Sequence, residues 1–90
     1  MENLLPNGRI VDSHGATRYY KDGLLHREDG PAVIGYSGIQ YWLINDNLHR
    51  EDGPAVMYPS DFTEMDEYHI NDKRISEQEF MIWKMKNLME

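Results

Sequence analysis

An eight-residue segment that occurs twice without change constrains the fold of this chain more than any other feature. Residues 26–33 have the sequence His-Arg-Glu-Asp-Gly-Pro-Ala-Val, and residues 49–56 repeat it at an offset of 23 positions. We call these segments the first block and the second block. Because 90 residues form one small domain, the repetition predicts stacked units of about 23 residues, each of which buries an apolar face against its neighbour.

The segments that flank the blocks have the composition of short β-strands. Residues 39–44 are rich in aromatic and β-branched side chains with a period of two, as strands are. Residues 32–36 and 55–58 predict the second strands of their units. Dipeptides suited to tight turns with positive φ stand at equivalent places, at residues 22–23, 45–46 and 71–72. The predicted fold is therefore mainly β with one C-terminal α-helix, in which the repeats form an antiparallel β-meander.

The last part of the chain predicts one amphipathic α-helix over residues 77–89. Ser76 and Glu79 form a capping box, in which each side chain can bond to the backbone amide of the other. The apolar side chains that follow at helical spacing must cover the sheet, cap the open end of the repeat array or meet a second copy. The candidates for self-association, including a homodimer through this helix, are Phe80, Met81, Trp83, Met85 and Leu88.

The offset divides the single domain, residues 1–90, into five parts. These are a degenerate N-terminal unit (1–16), repeat 1 (17–39), repeat 2 with an extended loop (40–65), a partial repeat 3 (66–75) and the capping helix (76–90). In the N-terminal unit, Leu4, Leu5 and Ile10 are compatible with one more strand or with a frayed end.

The composition excludes several classes of function. The chain has no cysteine, which excludes disulfides, thiolate zinc sites and a cysteine nucleophile. Sixteen acidic against nine basic residues give a net charge of −7, which disfavours direct nucleic-acid binding. No apolar run approaches the roughly 18 residues of a membrane span, and the N-terminus does not resemble a signal peptide. We therefore expect a cytoplasmic protein with no cofactor and no membrane attachment.

The repeat unit resembles a divergent MORN repeat, a hairpin module of similar length. In that family an aromatic residue precedes an Asn-Gly turn, and a His-Gly pair follows. Residues 20–26, Tyr-Lys-Asp-Gly-Leu-Leu-His, match this pattern, and residues 43–49 match it less closely. Arg27 and Arg50 depart from it, because they stand at the glycine of the His-Gly pair and an Asp-Gly-Pro-Ala insertion follows. MORN proteins are mostly associated with scaffolding or membranes, but the acidic charge here disfavours lipid binding.

A second resemblance concerns the whole block and the end of the chain. The form Leu-His-Arg-Glu-Asp-Gly-Pro-Ala, with a Ser-x-x-Glu-Phe helix after the last turn, is similar to repeats in small proteins of large tailed phages and some giant viruses. The resemblance covers residues 17–80. It implies a phage-encoded accessory protein that acts in the cytoplasm of the infected host cell.

The two identical blocks have three interpretations. As shaped turns, they use their aspartates to accept hydrogen bonds from backbone amides, their glycines for positive φ, and their arginines to pair with acidic side chains of a neighbouring unit. As metal or small-ligand sites, they offer imidazole and carboxylate groups. As contact surfaces, they bind a partner. The residues concerned are His26, Arg27, Asp29 and Gly30 in the first block and His49, Arg50, Asp52 and Gly53 in the second.

Binding to another protein is the predicted function, and catalysis is not expected. No motif brings a nucleophile together with a base and an orienting group. We expect a host or defence protein as the partner, which this protein inhibits or redirects through an acidic rim or a column of stacked rings. The alternative is a self-associating scaffold. The candidate contact residues are Tyr19, Trp42 and Tyr68 in the column, together with Arg27, Arg50, Asp61, Glu64, Asp66 and Glu67.

Overall fold

The computed structural model describes residues 5–88, which form ten short β-strands followed by one helix. The strands are β1 (Gly8–Val11), β2 (Thr17–Lys21), β3 (Leu24–Leu25), β4 (Val33–Ile34), β5 (Gln40–Tyr41), β6 (Leu43–Ile44), β7 (Asn47–Leu48), β8 (Val56–Met57), β9 (Tyr68–Ile70) and β10 (Lys73–Ile75), and the helix is α1 (Glu77–Leu88). All strand pairs are antiparallel. The predicted fold class, mainly β with one C-terminal helix, is confirmed.

The described strands form three sheets, whereas the sequence predicts one continuous meander. The largest sheet has the order β1-β2-β4-β5-β8, with β3 paired to β2, while β6-β7 and β9-β10 are separate hairpins. The division falls at Trp42, where the strand predicted over residues 39–44 is interrupted. The Trp42 amide donates to the Ala55 carbonyl at 2.7 Å, and its carbonyl accepts from the His49 amide at 3.0 Å. Trp42 therefore joins the large sheet to the next hairpin.

Three tight turns close the hairpins at the predicted places. Backbone φ is positive at both residues of each turn, at Asp22 and Gly23, Asn45 and Asp46, and Asn71 and Asp72. Two successive residues with positive φ are typical of type I′ turns, whose twist matches that of the flanking strands. Asn, Asp and Gly are suited to these positions because their backbones tolerate the left-handed region better than those of other residues.

The hydrophobic core is thin and consists largely of small side chains. The molecule measures 45 × 36 × 18 Å. Ala32 and Ala55, at equivalent positions of the two blocks, have 0% exposure. The Ala32 carbonyl accepts from the Tyr19 amide at 2.7 Å, and its amide donates to the Tyr41 carbonyl at 2.8 Å. A small side chain is suited to this point, because three chain segments meet there in a closely packed interior.

Helix α1 begins at the predicted capping box and covers the last hairpin. Ser76 Oγ accepts from the Glu79 amide at 3.0 Å, and Glu79 Oε1 accepts from the Ser76 amide at 2.8 Å. Phe80 is buried, and the centroid of its ring lies 4.8 Å from the ring centroid of Tyr68. The ring of Trp83 stacks on that of Phe80, with 6.1 Å between the two centroids. The helix therefore caps the array through its aromatic side chains.

The described part of the N-terminal unit, residues 5–16, contributes one strand. β1 pairs with β2 and places Ile10 opposite Arg18, so Ile10 belongs to an edge strand and is not frayed. Leu4, as well as Met89 at the end of the predicted helix, lies outside the described residues. No helix within residues 5–88 is long and apolar enough to cross a membrane.

Candidate functional site

In each block the guanidinium group of the arginine lies over an aromatic ring of its own unit. The guanidinium carbon of Arg27 is 4.0 Å from the ring centroid of Tyr19, and that of Arg50 is 3.9 Å from the ring of Trp42. Such cation–π contacts contribute about 0.5–2 kcal/mol, and more as they are shielded from water. The arginines therefore have a structural role in addition to their charge.

Hydrogen bonds within the block hold each guanidinium in place. Arg50 Nε donates to Asp52 Oδ1 at 2.8 Å, and its terminal nitrogen donates to the Pro54 carbonyl at 3.1 Å. Arg27 makes the same two contacts, at 3.1 and 3.2 Å. The prediction that the arginines pair with a neighbouring unit is therefore wrong, and the arginine rather than a nearby amide is the main partner of the aspartate. The planar guanidinium suits this role, because its edge donates while its face covers a ring.

Gly30 and Gly53 leave space for the guanidinium groups and do not adopt a special backbone conformation. The prediction of positive φ is wrong at both positions. A Cβ atom at Gly30 would lie 2.8 Å from the guanidinium carbon of Arg27, and one at Gly53 would lie 2.9 Å from that of Arg50. Because non-bonded carbon atoms pack at about 3.5–4.0 Å, a side chain here would force the guanidinium to shift from its position over the ring.

The histidine of each block binds the tight turn of the following unit. Nδ1 of His26 accepts from the Asn45 amide at 3.1 Å, and Nδ1 of His49 accepts from the Asn71 amide at 2.9 Å. Since Nδ1 is an acceptor, Nε2 carries the ring proton of the neutral imidazole. Each block therefore fastens the next hairpin to its own unit.

The aspartate of each of these two tight turns adds hydrogen bonds to the junction between successive units. The Asp46 amide donates to the Leu25 carbonyl at 2.8 Å, and its carboxylate accepts from the Leu25 amide at 2.6 Å. Asp72 makes the same pair of bonds with Leu48, at 2.7 and 3.1 Å. The same three bonds thus occur at both junctions.

The imidazole and carboxylate groups that the metal-site hypothesis requires as ligands already form hydrogen bonds within the fold. Nε2 of each histidine donates to the glutamate two positions later, at 3.1 Å from His26 to Glu28 and at 2.9 Å from His49 to Glu51. The aspartates proposed as co-ligands are bonded to the arginines instead. Residues 5–88 contain no group of three or more His, Asp or Glu side chains that could hold a metal ion. A metal at either block would have to displace one of these bonds.

The aromatic rings of the predicted column do not touch one another. No ring contact joins Tyr19, Trp42 and Tyr68 in the part of the chain that the structure describes. The block arginines cover the first two rings, and Phe80 covers the third. Phe80 therefore takes the place of the arginine in the last unit. The sequence does contain a signal for this exchange, because Ser76 stands eight positions after Tyr68, where the other units have arginine.

The acidic side chains predicted as a rim divide into two pairs. Asp61 and Glu64 are exposed on the loop between β8 and β9. Asp66 and Glu67 hold the two ends of this loop together, since each accepts a hydrogen bond from Tyr58 at its start, the first from the Tyr58 amide at 2.9 Å and the second from the Tyr58 hydroxyl at 3.3 Å. The second pair therefore has a structural role.

Glu67 is the centre of a small polar cluster. Its Oε1 accepts from Nε2 of the buried His69 at 3.0 Å, and Arg74 lies 4.0 Å from its Oε2. The hydrogen bond from His69 is the main cause that lowers the pKa of Glu67 below its ordinary value of 4.5. The ionised form of Glu67 is therefore favoured in the folded protein.

The helix residues predicted for self-association lie on two faces. Phe80 packs against Tyr68 of the last hairpin, and Trp83 stacks on Phe80. Met81 and Met85 point away from it and are exposed. The side chain of Leu88 lies outside the part that the structure describes.

The two blocks together line one groove of about 680 Å³. Trp42 and Ile44, both half-buried, contribute apolar lining. Its charged lining comprises both block arginines and four carboxylates that are 66–88% exposed, those of Glu28, Asp29, Glu51 and Asp52. Four carboxylates against two guanidinium groups make the groove net negative. The sequence identifies the blocks but not the groove, because an offset along the chain does not show that both blocks lie on one side of the molecule.

Replacing Gly53 by alanine will displace the Arg50 guanidinium from the ring of Trp42. We expect the free energy of unfolding to fall by about 1–3 kcal/mol, because the cation–π contact and a charged hydrogen bond are lost together. Urea denaturation followed by far-UV circular dichroism measures this loss. Gly35→Ala is the matched control, since its Cβ would lie 3.6 Å from the nearest atom. Wild-type stability in Gly53→Ala would contradict the role of this glycine.

Removing one block histidine will release only the turn that it binds. We expect His49→Ala to speed hydrogen exchange at the Asn71 amide about tenfold, because this amide loses its acceptor, and to leave the Asn45 amide protected. His26→Ala is expected to do the reverse. Amide exchange measured by NMR tests both variants, with the exposed His14→Ala as control. Equal effects at both turns would argue against separate junctions.

The stability conferred by ionised Glu67 will be lost in acid. Because its folded pKa is lowered, this contribution is fully present above about pH 4.5 and declines as the pH falls through the folded value. Glu67→Gln keeps an acceptor for His69 but cannot ionise, so its free energy of unfolding should fall less over this window. Denaturation is measured over the same pH series for the wild type and for Glu67→Gln. The contributions of the other carboxylates then cancel in the difference between the two free energies of unfolding. Identical pH slopes would contradict the assignment.

Comparison of the chain with protein-family models, with curated proteins and with solved structures finds no match. The resemblance to MORN repeats and to phage proteins therefore stays a prediction from the residues that carry it.

Proposed function

We propose that the protein is a non-enzymatic protein-binding module that takes up a basic segment of its partner in the groove between the two blocks. The observation that supports this proposal is the excess of exposed carboxylates along the groove. Both arginines of the groove are already paired within their blocks, so their charge is partly neutralised. A segment with lysine or arginine side chains complements what remains, and such complementarity favours fast and selective association.

The apolar lining of the groove supports the same proposal. Trp42 and Ile44 line the groove together with the charged residues, and tryptophan is among the residues that most often dominate binding energy at protein interfaces. An extended segment could place an apolar side chain against them and its cationic side chains against the carboxylates. Because the second block repeats the first, a segment with two basic residues would meet two equivalent acidic positions.

Binding is favoured over catalysis by the state of the block imidazoles. Each has one nitrogen bonded to a backbone amide and the other to a glutamate. An imidazole with both nitrogens engaged in the fold is poorly placed to exchange a proton with a substrate. The exposed groups that remain in the groove are charges suited to recognition.

The resemblance to small phage proteins supports a particular setting for this function. We infer that the protein is phage-encoded and acts in the cytoplasm of the infected bacterium. Its partner there would be a host or defence protein, which the binding inhibits or redirects. A basic groove or tail on that protein is the surface that the acidic groove fits.

Charge removal within the groove tests the proposal. In Glu28→Gln with Glu51→Gln, each glutamine oxygen can still accept from its histidine, while two negative charges are lost. We expect the Kd for a lysine-rich peptide, measured by NMR titration, to rise about three- to tenfold. A glutamate-rich peptide of the same length should not bind. Asp61→Asn with Glu64→Gln removes the same charge from the exposed loop and serves as the matched control.

The shifted resonances decide where the peptide binds. We expect the largest shifts at the block carboxylates and at the Trp42 indole. Equal weakening by the loop variant would show that total charge and not the groove governs binding, which contradicts the proposal. A tagged wild-type protein and the groove variant can then be compared in pull-downs from infected cells, where a true partner is retained only by the wild type.

A further inference from the structure

The outer face of helix α1 carries a stripe of exposed apolar side chains. Met81, Ile82 and Met85 are 52–63% exposed, and with Gln78 they follow the spacing that places residues on one face of a helix. The aromatic residues of α1 lie on the other side, where Phe80 packs against Tyr68 of the last hairpin and Trp83 stacks on Phe80. A contiguous apolar patch bordered by charged residues is typical of an interaction surface.

We propose that this face forms a homodimer in which two α1 helices pack antiparallel about a twofold axis. The axis passes between positions 81 and 82. Met81 of one copy then lies opposite Ile82 of the second copy, and Gln78 lies opposite Met85. The stripe is therefore complementary to itself, which a twofold interface requires. Methionine side chains adapt easily to such a contact.

The charges that border the stripe favour a second copy in this orientation. The first turn of α1 is acidic, with Glu77 and Glu79, and the last turn is basic, with Lys86. Positions 79 and 86 are seven residues apart and so lie on the same flank of the helix. Antiparallel packing places Glu79 of each copy near Lys86 of the other, whereas parallel packing places like charges together. Because this face of α1 carries both acidic and basic side chains, a second copy of the chain complements it better than a uniformly basic partner does.

Sedimentation velocity of the full chain from micromolar to near-millimolar concentration tests the interface. We expect a reversible monomer–dimer equilibrium for the wild type. Met81→Lys brings two cations together at the axis and should raise the dimer Kd about a hundredfold. Met65→Lys makes the same change at another exposed methionine and should leave the Kd unchanged. Far-UV circular dichroism establishes that both variants are folded, and Ile82→Lys serves as a second variant at the axis.

Disulfide cross-linking tests the orientation, because the chain has no cysteine of its own. In the antiparallel dimer the two copies of position 78 are seven residues apart, about 10 Å along the axis. This separation exceeds the roughly 7 Å between Cα atoms that a disulfide spans. A mixture of the variants Gln78→Cys and Met85→Cys should therefore form the mixed disulfide in preference to either symmetric one, as mass spectrometry can show.

Three results would overturn the proposal. They are a wild-type protein that stays monomeric over the whole concentration range, a dimer that Met81→Lys does not weaken, and symmetric disulfides in excess of the mixed one. The groove variant Glu28→Gln with Glu51→Gln does not alter this face and should dimerise as the wild type does. Failure of peptide binding and failure of dimerisation are therefore distinguished.

Discussion

The contact between the block arginine and the aromatic ring beneath it is the interaction on which the rest of the structure depends. The protein is only 18 Å thick, and no large side chain among the described residues is fully buried. Such a thin chain gains little from an apolar core alone. The guanidinium of Arg50 lies over the ring of Trp42 while its nitrogens donate to Asp52 and to the Pro54 carbonyl. One side chain thus orders a whole loop, and Gly53 leaves the space that it needs.

The loop formed by each block has a different role on each of its two sides. On its inner side, the histidine accepts a hydrogen bond from the turn of the next unit and so joins successive hairpins. On its outer side, the glutamates and aspartates remain largely exposed and line the groove between the blocks. The same eight residues can therefore hold the units together and present charge to a partner. Exact repetition of the block is consistent with a structural requirement that acts at both junctions.

Much of the fold follows from local patterns in the sequence. The turn dipeptides and the capping box each depend on a few adjacent residues, and the structure bears them out. The period-two segment over residues 39–44 is strand on both sides of Trp42 but is interrupted there. The role of Gly53 could not be predicted, because a need for positive φ and a need for space select the same residue. Helix periodicity identifies two apolar faces but not which one packs. The face with Phe80 and Trp83 packs because Phe80 meets the ring of Tyr68 and Trp83 stacks on Phe80, and aromatic pairs of this kind are favourable. The groove depends on contacts between units, which no local pattern records.

A double-mutant cycle between Arg50 and Trp42 tests the central contact most directly. The free energy of unfolding is measured by urea denaturation for the wild type, Arg50→Met, Trp42→Leu and the double variant, with far-UV circular dichroism as the probe. If the guanidinium and the ring stabilise the fold through each other, the two losses are not additive, and the coupling energy is about 1 kcal/mol or more. Additive losses, with a coupling energy indistinguishable from zero, would show that the block is held by other contacts.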